Sequence, residues 1–329
     1  MSSVKESIKK RLPFVATAIR NGKINKYSNR LIRSYKRNWI NSKTDENKIG
    51  YKILLEVHAL EKGMTSPNPR YFGTQKIRNI IEYLDIYEKN GWRHDYAFDM
   101  GCGILIEYVR FYEEHGWNER PEYEEVKKYI NSNGLTVGIG GTKVVLRKEM
   151  VADGAIDYEK FLKSRHSVRS YANKKMSESD IRRAVKMAIL TPTACNRQMC
   201  KIYNISSDSI RESIYKYAHG LTNFKKGYIG MFVVTYDVSA LCNESEICQG
   251  YLNSGLVSMN FVNALHSLGI GSCFLEYGDS YDEECEMKKV LNIPDNEKVA
   301  VMIAAGYYDE KTKVPASVRK PIEEVYRKV

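Results

Sequence analysis

Several things are scarce in this 329-residue chain. Eight prolines and 22 glycines are too few for a collagen-like or mainly disordered chain, and 43% hydrophobic against 28% charged residues is a globular balance. Mean hydropathy is −0.46, and no uncharged apolar run approaches the roughly 18–20 residues that span a bilayer. Four basic residues fall within the first eleven, but no uninterrupted apolar stretch with a cleavage site follows them, so a secretory leader is not expected. Seven cysteines occur without C-x-x-C spacing and without a zinc-type Cys/His quartet. They read as reduced thiols, which sets the expected location as cytoplasmic. His58 and Glu61 have the three-residue spacing of a metal pair, but no third ligand accompanies them and they read as a surface pair.

Acidic residues are scarce at one end. Residues 1–50 hold thirteen Lys/Arg and three Asp/Glu, a net +10 of the +11 on the whole chain. The basic character therefore belongs to an N-terminal arm. A helical extension packed on its own protein is the plain expectation for it. A weak contact with an anionic membrane surface or a polyanion is the alternative, and no motif for specific nucleic-acid recognition accompanies the charge.

Three regions follow from patterning: the basic arm 1–50, a helical extension with a glycine-rich linker 51–150, and a mixed region 151–329. Apolar spacing predicts helices over Tyr51–Lys62, Thr74–Lys89 and Tyr96–Glu114. The cluster Asn133–Gly141 lacks the strand before and the helix after that a phosphate loop needs, so it reads as a linker. Farther on, Ser177 is a helix cap with Asp180 three residues later, leading an apolar stripe of Ile181, Ala184, Val185, Ala188 and Ile189. Pro192 stops that helix. Met231–Tyr236 and Val299–Ala305 read as buried strands. Tyr251–Leu268 reads as a helix apolar on most faces, and so buried in a core or against another subunit.

Three segments carry chemistry. Arg165-His166-Ser167-Val168-Arg169 is a compact set of anion donors, since the guanidinium fork suits phosphate. Pro192-Thr193-Ala194-Cys195-Asn196-Arg197-Gln198 is a loop of small and amide side chains suited to a flat polar ligand. Gly269-Ile270-Gly271-Ser272-Cys273-Phe274-Leu275-Glu276 places two glycines where backbone amides can approach a ligand. Each segment alone also reads as an ordinary surface turn, helix-to-strand connection or helix cap.

In order and spacing the three resemble the FMN-dependent nitroreductase family, with its R-[RH]-S-x-R, P-[ST]-x-x-N-x-Q and G-L-G-[ST]-C-W segments. A fourth match is Pro315-Ala316-Ser317-Val318-Arg319-Lys320-Pro321, and Asn292-Ile293-Pro294 before Val299–Gly306 fits the family's last helix-to-strand passage. The resemblance covers about residues 156–329. It implies an α+β, three-layer fold around a mostly antiparallel sheet, in a homodimer with FMN at the subunit interface. It also implies hydride transfer from NADH or NADPH to an electron-poor acceptor such as a nitroaromatic or quinone. Oxidative or flavin-consuming chemistry on the same fold, or a flavin-binding scaffold recruited by the basic arm, are the alternatives.

Carried over by position, Arg165, His166 and Ser167 would hold the phosphate and ribityl chain, and Arg169 the pyrimidine edge. Pro192, Thr193, Asn196 and Gln198 would approach from the other subunit. Cys273, Phe274, Leu275 and Glu276 would line the ring, and Arg319 would reach the phosphate. Met199 and Cys200 replace the family's Pro-Trp, Phe274 its Trp, and Asn253 an acidic residue two before Gly255. These departures touch the pocket more than the phosphate site.

Overall fold

Asp45 and Asp95 each turn a carboxylate onto a backbone N–H three residues ahead, of Lys48 and Phe98, and so start two of the helices that open the chain. The computed structural model describes residues 13–37, 45–66, 69–143, 157–219, 221, 224, 228–277, 281–312, 314 and 319–329. Its first five helices are α1 (Pro13–Tyr35), α2 (Glu46–Met64), α3 (Thr74–Asn90), α4 (Tyr96–Glu114) and α5 (Pro121–Ser132). The expected start at Tyr51 falls five residues inside α2, because Asp45 is the cap. Residue 50 lies within this helix.

Helices α2 to α5 bury one shared core, with Ile53, Val57 and Leu60 against Ile77, Ile80 and Leu84, and Ile104, Leu105 and Tyr108 against Val126. The stretch 133–143 is irregular but docked, not a free linker. Ile139 N–H donates to Asp99 O at 3.3 Å, and Gly141 N–H donates to Glu61 at 3.2 Å. The close approach is made by two glycines. A Cβ on Gly103 would meet the Ile139 carbonyl oxygen at 2.1 Å, and one on Gly138 would meet Gly103 Cα at 2.2 Å.

The second unit is α6 (Tyr158–Ser164), α7 (Glu178–Ala188), β1 (Cys200–Asn204), α8 (Asp208–Ile214), β2 (Ala218–His219), β3 (Gly230–Asp237), α9 (Gln249–Ser267), β4 (Ile270–Tyr277), α10 (Tyr281–Val290), β5 (Glu297–Tyr307) and α11 (Ile322–Val325). Its five strands are ordered β1-β3-β5-β4-β2 and every pair is antiparallel. Along β3 the side chains alternate between two cores. Phe232 and Val234 meet Phe261, Leu265 and Ala184 from α9 and α7. Met231 and Val233 meet Ile214 and Met287 from α8 and α10. With both faces covered, the strand reads as one apolar run. The result is a three-layer α+β sandwich, as expected. Ser177 does cap α7, accepting from Asp180 N–H at 3.1 Å.

The two units are joined by specific contacts. Tyr35 is buried beside Met199, Tyr236, Val238 and Leu241, and its hydroxyl lies 2.7 Å from that of Tyr236. Arg30 pairs with Asp282 and Arg37 with Asp295. The described part of the basic arm therefore spends charge on its own protein, as the plain reading of the sequence expects. Among the described residues no helix is long and apolar enough to cross a membrane, and no group of three His, Cys, Asp or Glu is arranged to hold a metal. His58 and Glu61 form an ion pair at 3.6 Å.

Candidate functional site

After α6 the chain runs extended across the ends of β4 and β5. Val168 N–H donates to Ser272 O at 3.0 Å within a parallel bridge between Ser167 and Ser272, and Tyr171 bridges Tyr308. Glycine makes room for this crossing. Gly271 and Gly306 face each other in register. A Cβ on Gly271 would press on Tyr308 and Val168, and one on Gly306 on Tyr171. Gly271 thus serves chain packing. Gly269 is the left-handed end of α9, at φ 72°.

An extended segment alternates its sides. Val168 and Ser170 are buried, whereas Arg165, Ser167 and Arg169 share the other side and are half-buried. His166 falls out of that row and is exposed. Arg165 and Arg169 are thereby spread about 13 Å apart along the chain. Among the described residues neither guanidinium is paired with a carboxylate. Both act on the Cys273 thiol of β4, which burial pushes up and the two arginines pull down. Cys273 and Leu275 point inward and are buried, while Phe274 and Glu276 are exposed.

One neighbour was not singled out in the sequence. His266, at the end of α9, lies 2.8 Å from the Ser164 hydroxyl and 2.7 Å from that of Tyr308. Burial, then Arg165, depresses its basicity. A histidine in the last turn of an otherwise apolar helix was the available signal.

The second segment sits elsewhere on the same layer. Thr191, at the end of α7, accepts from Asn260 of α9 at 2.6 Å. Asn260 is about 9 Å of helix rise from His266. Of four non-glycine residues at positive φ among those described, three are here: Cys195 (49°), Asn196 (51°) and Gln198 (49°). Asparagine tolerates this region, but each of the others costs of order 1 kcal/mol or more, and such strain concentrates at functional loops.

Arg197 holds the loop. Fully buried, it makes two bonds to Glu246, at 2.8 and 2.9 Å, and others to Ala194 O, Ala240 O and Cys242 Sγ. Burial pushes the Glu246 carboxyl up, but hydrogen bonds from Arg197 and the Cys242 N–H outweigh this and hold it below its ordinary value. Thr193 accepts from Gln198 N–H at 3.0 Å. Thr193 and Gln198 line a cavity of about 290 Å³ with Val185, Ile189, Thr191, Cys200, Lys201, Ile202 and Val257. Pro192 is exposed and Asn196 half-buried. Arg319 is exposed within the fourth segment, of which Pro315–Val318 lie outside the described residues.

On the outer side of α9, Leu252, Leu256 and Met259 form an i, i+4, i+7 stripe that stays 58%, 47% and 36% exposed. Ile189 and Leu190 after α7 are likewise exposed, although Ile189 belongs to the stripe expected to be buried.

The family model "Nitroreductase family" matches residues 162–231 and 243–307. A Staphylococcus aureus protein named NADPH-dependent oxidoreductase is 24% identical over 178 residues, 50% of this chain and 70% of its own. A nitroreductase family protein structure from Streptococcus pneumoniae shares 24% identity, with 53% of this chain and 100% of that one aligned at a TM-score of 0.46. A structure in complex with FMN from Desulfovibrio desulfuricans shares 21%, covering 53% and 97% at a TM-score of 0.45. Residues 162–231 and 243–307 of this chain thus match the nitroreductase family model.

Proposed function

We propose that residues 151–329 bind FMN between two subunits and form an oxidoreductase that carries hydride from NADH or NADPH to an electron-poor acceptor, a nitroaromatic or quinone in vitro. The observation that carries this reading is the Ser167–Ser272 bridge, which lays Arg165, Ser167 and Arg169 in one row along β4. Two cations spread along a strand suit an elongated ligand with charge at both ends better than a compact anion. The donor set fits FMN, whose phosphate carries close to two charges and whose reduced ring gains one.

FMN, when bound, supplies the hydride chemistry. The chain's own residues do the rest. Arg165 and Ser167 bind the phosphate end, with His166 at its edge and Arg319 reaching toward it. Arg169 stabilises charge at the pyrimidine edge. Phe274 and Glu276 flank the ring with their side chains and Cys273 and Leu275 through backbone atoms, and Pro192, Thr193, Asn196 and Gln198 of a second copy close it from the other side. The bare stripe Leu252, Leu256 and Met259 supports a homodimer. The name of the Staphylococcus aureus relative supports a nicotinamide donor. Action in the cytoplasm, and a weak contact of residues 1–50 with an anionic surface through cations not engaged by Asp282 and Asp295, belong to the same reading.

The test begins with the visible spectrum and sedimentation of the purified protein. A yellow dimer that releases FMN on heating, and oxidises NAD(P)H when menadione is added, is the expected result. Colourless protein that takes up no added FMN would refute it.

A further inference from the structure

The family match begins at residue 162, yet one of the proposed site residues is held by a residue far outside it. Gln198 Nε2 donates to the Tyr96 hydroxyl at 2.9 Å, a contact between the first turn of α4 and the strained loop. The same Nε2 lies 3.5 Å from Asn196 O, a carbonyl that can only accept, so turning the amide over would set its own carbonyl against that acceptor. Both N–H bonds of the amide are thereby directed at protein. Its Oε1 accepts nothing among the described residues, on a side chain that lines the 290 Å³ cavity. The rest of the helical unit supports the same loop, since Tyr35 packs on Met199 directly after Gln198.

We infer that Tyr96 is a positioning residue, supplied by the helical unit, that fixes Gln198 with its carbonyl oxygen presented to the cavity. The cavity therefore selects acceptors that carry an N–H or O–H donor beside the electron-poor ring, such as amide-bearing nitroaromatics. This rests on the proposed function, with the cavity beside Gln198 as the place where the acceptor sits. It assigns the helical unit a part in selectivity that is separate from flavin binding. A pinned acceptor discriminates because a ligand without a donor leaves it desolvated and unpaired, worth about fivefold to tenfold per hydrogen bond.

The experiment compares 4-nitrobenzamide with methyl 4-nitrobenzoate, nearly isosteric and differing in the donor, on holoenzyme. A non-reducible pair, benzamide and methyl benzoate, is measured alongside by titration calorimetry without nicotinamide. Wild type should favour the amide about fivefold, in KM and in Kd. Tyr96→Phe, which removes one hydroxyl from a side chain 46% exposed, should raise both constants for the amide about fivefold and for the ester less than twofold. Gln198→Glu, whose two oxygens both accept, should restore the preference in the Tyr96→Phe background. Wild type with no preference overturns the inference, as does a preference unchanged in Tyr96→Phe. Equal weakening of amide and ester in that variant means a merely structural contact and also overturns it. Protein that binds no FMN while keeping the calorimetric preference defeats the proposed function and leaves the positioning role standing.

Discussion

Replacing Glu246 by Gln keeps the shape of the side chain but removes the charge that balances Arg197. The Arg197 guanidinium is fully enclosed, and both carboxylate oxygens of Glu246 are committed to it, one of them also accepting from Cys242 N–H. Breaking a buried pair by neutralising one partner costs about 3–5 kcal/mol. Glu246 is 18% exposed, so water repays part of this and the lower end, about 3 kcal/mol, applies. For a unit of this size that lowers Tm by roughly 6–12 °C. Circular-dichroism melting reads it directly. The sign with pH is also fixed. A carboxyl held below its ordinary value of 4.5 contributes its stability above that value and loses it as pH falls through its folded value. The gap between wild type and Glu246→Gln should therefore be full at neutral pH and close in acid. Arg197→Met with Glu246→Leu should recover much of the loss, because no charge is left stranded. A fall below 2 °C, or a gap that widens in acid, would refute the reasoning.

Arg165→Ala should weaken FMN binding about 10- to 100-fold, whereas Arg169→Ala should lower the bound flavin's midpoint potential by about 30 mV; equilibrium dialysis and redox titration of both variants separate the roles. Gly103→Val drives a side chain into the Ile139 backbone, so the strap 135–143 should lift and its amides should exchange faster by mass spectrometry. Tyr35→Ala empties a buried aromatic site between the two units and should cost about 3–5 kcal/mol in urea denaturation; an unchanged midpoint would mean that the first helix does not brace the site.

What the sequence disclosed was periodic or local. The three helices between residues 51 and 114, the Ser177 cap, and strands β3 and β5 all follow from spacing, because both faces of β3 and β5 are buried and their runs are apolar without interruption. β1 passed unnoticed, since Lys201 and Asn204 break its run at the sheet edge. α8 and α10 are short, and their only fully buried apolar side chains are Ile214 and Met287, too few positions for a stripe. Among site residues, the Arg165-to-Arg169 cluster was legible as a local concentration of anion donors, but that the extended backbone sets His166 on the side opposite Arg165 and Arg169 was not. The anchoring of the second segment was not legible. Arg197 looks like filler between Asn196 and Gln198 until Glu246, 49 residues on, is brought beneath it. Tyr96 is 102 residues from its partner, and no local pattern reports such a meeting. Gly138 likewise gains its meaning only from Gly103, against which it lies.

The strand order has a kinetic consequence. β5, made after every other strand, takes the middle of the sheet between β3 and β4. Until residue 307 is available, β3 and β4 each present a bare edge, and the glycine seat for Val168 and Tyr171 is missing its Gly306 half. Pairings across such separations pay their loop-closure entropy before they are rewarded, so closure of this sheet should be slow. The helical unit closes its core with neighbours in sequence and can be complete first. It then offers Tyr51 and Tyr96 as a preformed surface on which the late-assembling sheet and its strained loop can settle.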